Sequence, residues 1–134
     1  YVYIDDEGNE YTKAFMPEGL FLSSYTSMVQ GEPAYYFIEA MEDAEILSFT
    51  YADWLRLKAG SPVWKDLLIR VLERGYSAKE RRERDLLLLN AETRYRNFLA
   101  EYPQLKDRVR QRDVASYLGI KAESLSRIKK KAGG

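Results

Sequence analysis

The chain has 134 residues, of which 46% are hydrophobic, and it carries 21 basic and 21 acidic side chains. This size predicts one domain or two small ones with a buried core. Because the sequence contains neither Cys nor His, thiolate zinc sites, Cys-ligated iron–sulfur clusters, His-ligated haem, disulfides and Ser-His-Asp or Cys-His catalytic sets are excluded within this chain. No apolar run approaches the roughly 20 residues of a membrane-spanning helix, so we expect a soluble, cytoplasmic protein with no membrane partner.

The charge is divided unevenly along the chain. Residues 1–75 carry 6 basic and 13 acidic side chains, and residues 76–134 carry 15 basic and 8 acidic ones, which gives net charges of −7 and +7. The C-terminal half is therefore the part suited to a polyanionic partner.

The N-terminal region has the pattern of short antiparallel strands. Segments 1–4 and 10–15 flank the turn-forming residues 5–9, which predicts a β-hairpin. Three further strands are predicted at 20–23, 35–40 and 45–50, the spacing of a sandwich or barrel. A short helix over 51–58 is expected to close this region.

A long helix is predicted to begin at Ser61 and Pro62, because Ser is a good N-cap and Pro is tolerated at the first helical position. Five residues at heptad spacing form one stripe along it: Trp64, Leu68, Val71, Gly75 and Ala78. Such a stripe packs either on a partner helix or on the chain's own sheet. We expect a homodimer whose interface includes Trp64, Leu68, Val71 and Ala78.

A second, helical core is predicted after this helix. Asn90 is a plausible N-cap. The apolar stripe that follows consists of Ala91, Tyr95, Phe98, Leu99 and Tyr102, and Pro103 ends the helix. The predicted domains are therefore residues 1–60, a linking helix over 61–89, and residues 90–134.

The most informative stretch is 111–130, which has the layout of a helix-turn-helix. Val114 and Leu118 lie one turn apart, and Gly119 permits a left-handed turn conformation. The remaining inward positions are Ala115, Ile120, Leu125 and Ile128, and the outward positions of the second helix are Ala122, Glu123, Ser126, Arg127 and Lys130. The alternative is a plain helical hairpin with a solvated basic face.

From Phe15 to Ile128 the sequence resembles the Crp/Fnr transcription regulators. The resemblance is most specific in Ala115-Ser116-Tyr117-Leu118-Gly119-Ile120 and in Glu123-Ser124-Leu125-Ser126-Arg127, and residues 35–43 look like the last large strand of that family's sensor. It implies an α+β chain with a cyclic-nucleotide-binding-like β-roll, a long dimerisation helix and a C-terminal winged helix-turn-helix. It also implies that part of the β-roll lies before Tyr1.

The same resemblance implies a sequence-specific regulator that binds double-stranded DNA as a homodimer on a palindromic site, with RNA polymerase as a further partner. In the family the second helix lies in the major groove. Glu123 would accept from cytosine N4, Arg127 would donate to guanine, and Ser126 would make an adjustable contact. We add Lys121, Lys130, Lys131 and Gln111 to the expected DNA-binding set. Lys121 and Ala122 depart from the pairs common in the Fnr-like branch, which reads TGA-type half-sites.

The sensor region lacks the cation that a cyclic nucleotide needs. The family's phosphate-binding Arg is missing, and neither Lys nor Arg occurs between Lys13 and Arg56. We therefore expect no cyclic nucleotide, no other cofactor and no metal, and the effector stays unknown. Four aromatic residues are expected to form part of a core, and a pocket for an apolar ligand is the alternative: Phe21, Tyr25, Tyr35 and Phe37.

Two other functional classes compete with a DNA-binding regulator. One is an effector-binding dimeric module that signals through protein–protein contact. The other is an enzyme, but the sequence shows no nucleophile and base pair, no metal-ligand set and no glycine-rich phosphate loop, so we expect no catalytic residues.

Overall fold

The computed structural model describes residues 1–132, which form an α+β structure with a two-stranded antiparallel sheet and six α-helices. The elements are β1 (Val2–Ile4), β2 (Glu10–Thr12), α1 (Tyr25–Gln30), α2 (Tyr51–Gly60), α3 (Pro62–Leu88), α4 (Ala91–Glu101), a 3₁₀ turn (Pro103–Leu105), α5 (Gln111–Tyr117) and α6 (Ala122–Ala132). None of the helices in this part of the chain is long and apolar enough to cross a membrane.

The predicted N-terminal hairpin is confirmed. Val2 pairs with Thr12 and Ile4 with Glu10 in antiparallel register. The Asp5 side chain holds the turn by accepting hydrogen bonds from the backbone N–H of Asn9 at 2.8 Å and of Glu7 at 3.0 Å. The second strand ends at Thr12, earlier than predicted.

The three other predicted strands, 20–23, 35–40 and 45–50, are wrong. The only pairing they make within residues 1–132 is an isolated bridge in which Val2 and Phe37 exchange hydrogen bonds of 2.9 and 2.8 Å. A short helix, α1, lies between the first and the second of these segments. β-branched and aromatic residues form a strand only when a neighbouring strand pairs with them. Residues 1–132 therefore contain neither a closed β-roll nor the wing of a winged helix-turn-helix.

The predicted helix over 51–58 is confirmed as α2, which extends to Gly60. It begins with a capping box: the Thr50 hydroxyl accepts from the Asp53 N–H at 3.1 Å, and the Asp53 carboxylate accepts from the Thr50 N–H at 3.0 Å. Trp54 of this helix is buried and meets Trp64 edge to face, with ring centroids 6.1 Å apart.

The long helix α3 begins at Pro62 as predicted, with Ser61 as its N-cap. It has 27 residues, all of them described, and none is fully buried. At 1.5 Å per residue it extends about 40 Å. Most of its apolar surface is therefore left uncovered by the rest of this chain.

The helical core unites α4, α5 and α6. Its buried residues are Phe15, Tyr95, Phe98, Leu105, Val114, Ala115, Leu118 and Leu125, with Ile120 and Ile128 packed against them. Asn90 caps α4 by accepting from the Thr93 N–H at 2.9 Å, as predicted. Phe15 is the unpredicted member, because it comes from the N-terminal region and packs on Phe98 with ring centroids 5.7 Å apart.

Candidate nucleic-acid interface

The turn between α5 and α6 is set by the way α5 ends. Gly119 has a φ of +66°, in the left-handed region. The N–H of Ile120 donates to the Ala115 carbonyl and the N–H of Gly119 donates to the Ser116 carbonyl, each at 3.0 Å. These two bonds form a Schellman motif, which turns the chain sharply and leads into α6.

The second helix, α6, has one buried face and one exposed face. Leu125 is 1% exposed and anchors the helix in the core. Glu123, Arg127 and Lys130 are exposed, and Ser126 is half-buried. Their spacing of three, one and three residues places them on one side of a helix. The structure thus places the three residues predicted to read bases, Glu123, Ser126 and Arg127, on the same side of α6 as the predicted phosphate contact Lys130.

The polar groups of this face also contact their own helix. Arg127 Nε lies 3.4 Å from the backbone oxygen of Glu123, so the guanidinium lies back along the helix surface. Glu123 is in the first turn of α6 and Lys130 and Lys131 are in the last, where the helix dipole favours each charge. These charges are therefore compatible with a stable helix as well as with a ligand.

The remaining predicted contacts lie at the edges of this surface. Gln111 is exposed at the start of α5, and Lys121 is exposed just before α6. Lys131 is exposed and its Nζ lies 3.2 Å from a carboxylate oxygen of Glu92 on α4. All seven predicted DNA-binding residues are thus at least partly accessible.

Ion pairs join the arginines around the start of α5 to the acidic N-terminal region. The pairs are Arg108–Glu18 at 2.5 Å, Arg108–Glu42, Arg110–Glu39 at 3.3 Å and Arg112–Glu10 at 3.8 Å. The hydrogen bond from Arg108 holds the pKa of Glu18 below its ordinary value. The sequence analysis missed these pairs, because their partners are far apart in the chain and neither charge has a distinctive neighbourhood.

The N-terminal aromatic residues form neither the expected core nor an enclosed pocket. Tyr35 is 73% exposed and Phe37 is 63% exposed, so the prediction of a core there is wrong for both. Phe21 is also exposed and meets Phe49 at a centroid distance of 6.4 Å, and Tyr25 is half-buried. The exposed apolar surface of residues 35–49, termed here the apolar segment, consists of Tyr35, Phe37, Ile38, Ile46, Leu47 and Phe49.

The predicted dimer stripe lies along α3. Trp64, Leu68 and Ala78 are half-buried, and Val71 is exposed. Trp64 owes part of its burial to Trp54 of α2. A second exposed apolar stripe, formed by Ile69, Leu72 and Tyr76, occupies another face of the same helix.

Metal-ligand clusters and cavities are the features that would point to a metal or an organic effector. Among residues 1–132, no three acidic side chains are arranged to hold a metal ion. A cavity of about 30 Å³ between α3, α4 and α5 has room for a water molecule but not for an organic effector.

Comparison of the chain with protein-family models, with characterised proteins and with solved structures finds no match. What the chain does is therefore argued from its own geometry and charge.

Proposed function

We propose that the chain is a sequence-specific DNA-binding transcription regulator of Crp/Fnr type, which acts in the cytoplasm as a homodimer on a palindromic site. The observation that carries this proposal is the exposed face of α6, where Glu123, Arg127 and Lys130 lie opposite the buried Leu125. Arg is the side chain that most often reads guanine, and Glu can accept from a cytosine amino group. A carboxylate on a DNA-facing surface is favourable only at such a base contact.

The phosphate contacts in this proposal come from the ends of the two helices. Lys130 and Lys131 at the end of α6 and Lys121 before it supply charge, and Gln111 at the start of α5 supplies a neutral donor. Each phosphate neutralised releases counterions, so affinity should fall steeply as salt rises.

Dimerisation in this proposal uses the Leu68 and Val71 stripe of α3. A two-fold pair of α3 helices would present two copies of α6, and such dimers read half-sites about 34–36 Å apart, one turn of DNA. The apolar stripe that this chain leaves uncovered supports this arrangement.

Control by a cyclic nucleotide is not part of the proposal. The acidic N-terminal region has no Lys or Arg between Lys13 and Arg56. The arginines that reach it from the C-terminal half, Arg108, Arg110 and Arg112, are already paired with carboxylates. Calorimetry with cyclic AMP and cyclic GMP at millimolar concentration should give no saturable heat, and micromolar binding would contradict this.

Selection of binding sites from random duplexes, with the full chain, tests the proposal as a whole. We expect a palindrome whose half-sites contain a G·C pair at the position that Arg127 reads. Recovery of no enriched sequence, together with binding that does not weaken as salt rises, would refute DNA recognition.

The second candidate is a dimeric effector-binding module that signals through protein contact. The apolar segment favours it, because Leu47 is 92% exposed and the five other large apolar side chains of this segment are exposed as well. Salt separates the two candidates: phosphate binding weakens steeply with salt, whereas apolar protein contact does not. The effector is left open, and RNA polymerase is the further partner that the regulator proposal requires.

A further inference from the structure

The last carbonyl groups of α5 have an unusual set of partners. A helix leaves its final four carbonyls without partners inside the helix. Here Val114, Ala115 and Ser116 are satisfied by backbone N–H groups of the following turn. The next two carbonyls, of Tyr117 and Leu118, accept instead from arginine side chains of other helices.

The first of these arginines is Arg82 of α3. Its Nη2 donates to the Tyr117 carbonyl at 3.0 Å, and its guanidinium carbon lies 4.7 Å from the centre of the Tyr117 ring. Its Nε is buried and donates to no acceptor within residues 1–132. A half-buried guanidinium that contacts both the carbonyl and the ring of one residue is held more firmly than a solvated surface charge.

The second is Arg94 of α4, which joins two helix ends. Its Nε donates to the Leu118 carbonyl at 3.0 Å, and its Nη1 donates to the Leu89 carbonyl at 2.6 Å. Leu89 is the C-cap of α3, and Leu118 is the C-cap of α5. One planar guanidinium therefore holds the end of the long helix against the turn of the helix-turn-helix.

Apolar packing closes the same junction. A Cβ atom placed on Gly119 would lie 3.2 Å from Leu86 Cδ2. The Leu86 side chain, in the last turn of α3, therefore lies close to the left-handed residue of the turn and leaves little room for a side chain there.

We infer that Arg82 and Arg94 are positioning residues that fix the orientation of α6 relative to α3, and so determine the spacing of the two half-sites that a dimer accepts. This inference rests on the proposed function. If α3 sets the dimer axis, a rotation at the junction would displace both copies of α6 in opposite directions. Neither arginine belongs to the predicted base-reading set or to the predicted dimer stripe, but Arg82 lies one turn beyond Ala78 on α3, so the oligomeric state of each variant is measured beside its spacing preference.

The test is the affinity of the dimer for duplexes that carry the selected half-sites at several spacings. Arg82→Met and Arg94→Met should lower the preference for the best spacing over the next by a factor between about 2 and 30. Affinity for a single half-site should change by less than about twofold. The matched controls are Arg81→Met and Arg96→Met, which remove exposed arginines close by on α3 and α4 and should keep the wild-type profile.

Arg94→Lys keeps the test usable if a Met variant does not fold. A lysine ammonium keeps the charge but cannot present two donors in a planar fork to Leu89 and Leu118. We expect a spacing preference between those of the wild type and Arg94→Met. A wild-type spacing profile in Arg82→Met and in either Arg94 variant would overturn the inference.

Hydrogen exchange tests the junction without DNA. The N–H groups of Gly119 and Ile120 should exchange faster in Arg82→Met than in Arg81→Met, because the turn opens more often once its anchor on α3 is lost. Equal exchange in the two variants would overturn the inference. A wild-type protein that binds no duplex would refute the proposed function, and this measurement would still decide whether the arginines hold the turn.

Discussion

Residues 1–60 and the helical unit of α4, α5 and α6 are both rich in apolar side chains, but the helical unit encloses a larger share of them. Its core buries Leu125 and Phe98 almost completely, whereas Leu47 and Tyr35 of the N-terminal region face solvent. Three helices of 7 to 11 residues form their backbone hydrogen bonds within one segment each, so they need no partner segment before their side chains pack together. A strand needs a neighbour before its backbone and its apolar face are both satisfied.

The two regions also differ in charge, and acidic and basic side chains form ion pairs where the regions meet. The acidic side chains of the N-terminal region pair with arginines at the start of α5, and Phe15 enters the helical core. The N-terminal region thus contributes to the helical unit through a few long-range contacts, while most of its own apolar surface stays exposed.

The largest effect should come from charging the uncovered stripe of α3. Asp at Leu68 and Val71 would bury two unpaired carboxylates in a dimer, at about 3 kcal/mol or more, and so weaken dimerisation at least a hundredfold. Sedimentation should then show monomers at micromolar concentration.

The matched control for this change is Ile69→Asp with Tyr76→Asp, which adds the same charge to the second apolar stripe of α3 and should leave the dimer intact. If only the control variant dissociates, the interface lies on the face of Ile69 and Tyr76. The proposed dimer would be refuted if light scattering finds the native chain monomeric at micromolar concentration.

Truncating one leucine in each region tests directly whether the two regions differ in burial. Leu125→Ala should lower the free energy of unfolding by about 2–5 kcal/mol, because the side chain is fully buried and leaves a cavity. Leu47→Ala should change it by less than about 0.5 kcal/mol, since that side chain is exposed. Denaturant titration measures both, and similar losses would show that the apolar segment is covered in solution.

Gly31 and Gly119 both have left-handed backbone conformations, and replacing each with Ala separates the effect of backbone strain from that of packing. Gly31 has a φ of +71° and nothing within 4 Å of an added Cβ, whereas at Gly119 the Cβ would also meet Leu86 at 3.2 Å. Both Ala variants should lose about 1–2 kcal/mol from the left-handed conformation, and Gly119→Ala should lose more. Thermal unfolding of the two variants checks the order, and an equal loss would mean that Leu86 moves aside freely.

The smallest effect concerns pH. Arg108 lowers the pKa of Glu18 from its ordinary value of 4.5. A lowered folded pKa stabilises the protein above the ordinary value, and this contribution is lost as the pH falls from 4.5 through the folded value. The advantage of wild type over Glu18→Gln in the free energy of unfolding should therefore be smaller at pH 3 than at pH 6.

Unfolding curves at the two pH values measure this difference. Glu73→Gln on α3 is the control, because Glu73 makes no ion pair within residues 1–132. An advantage of wild type over Glu18→Gln that is undiminished at pH 3 would show that the Arg108 pair is not its source.

The features that sequence predicts well here are those coded within a few residues. Ser61 and Asn90 identify helix starts because an N-cap acts on N–H groups two or three residues away. Gly119 identifies the turn because few other residues adopt its φ.

The features that were missed depend on distant partners. Strands at 20–23, 35–40 and 45–50 would need neighbours that no local pattern reveals. The burial of Phe15 and the arginine contacts of Arg82 and Arg94 join segments that only the fold brings together. The candidate reading face was predictable because Glu123, Arg127 and Leu125 belong to a single helix.

The most direct test of DNA reading by α6 is the binding of variants to the selected site and to the same site with one base pair changed. Arg127→Ala should cost about 1–3 kcal/mol on the selected site and little on the changed one, so that preference at that pair is lost. Lys130→Ala or Lys131→Ala should weaken both duplexes equally and lower the dependence on salt. Glu123→Ala should keep non-specific affinity equal or higher while discrimination falls. If Glu123→Ala and Arg127→Ala both select the wild-type half-site, α6 is not the reading helix.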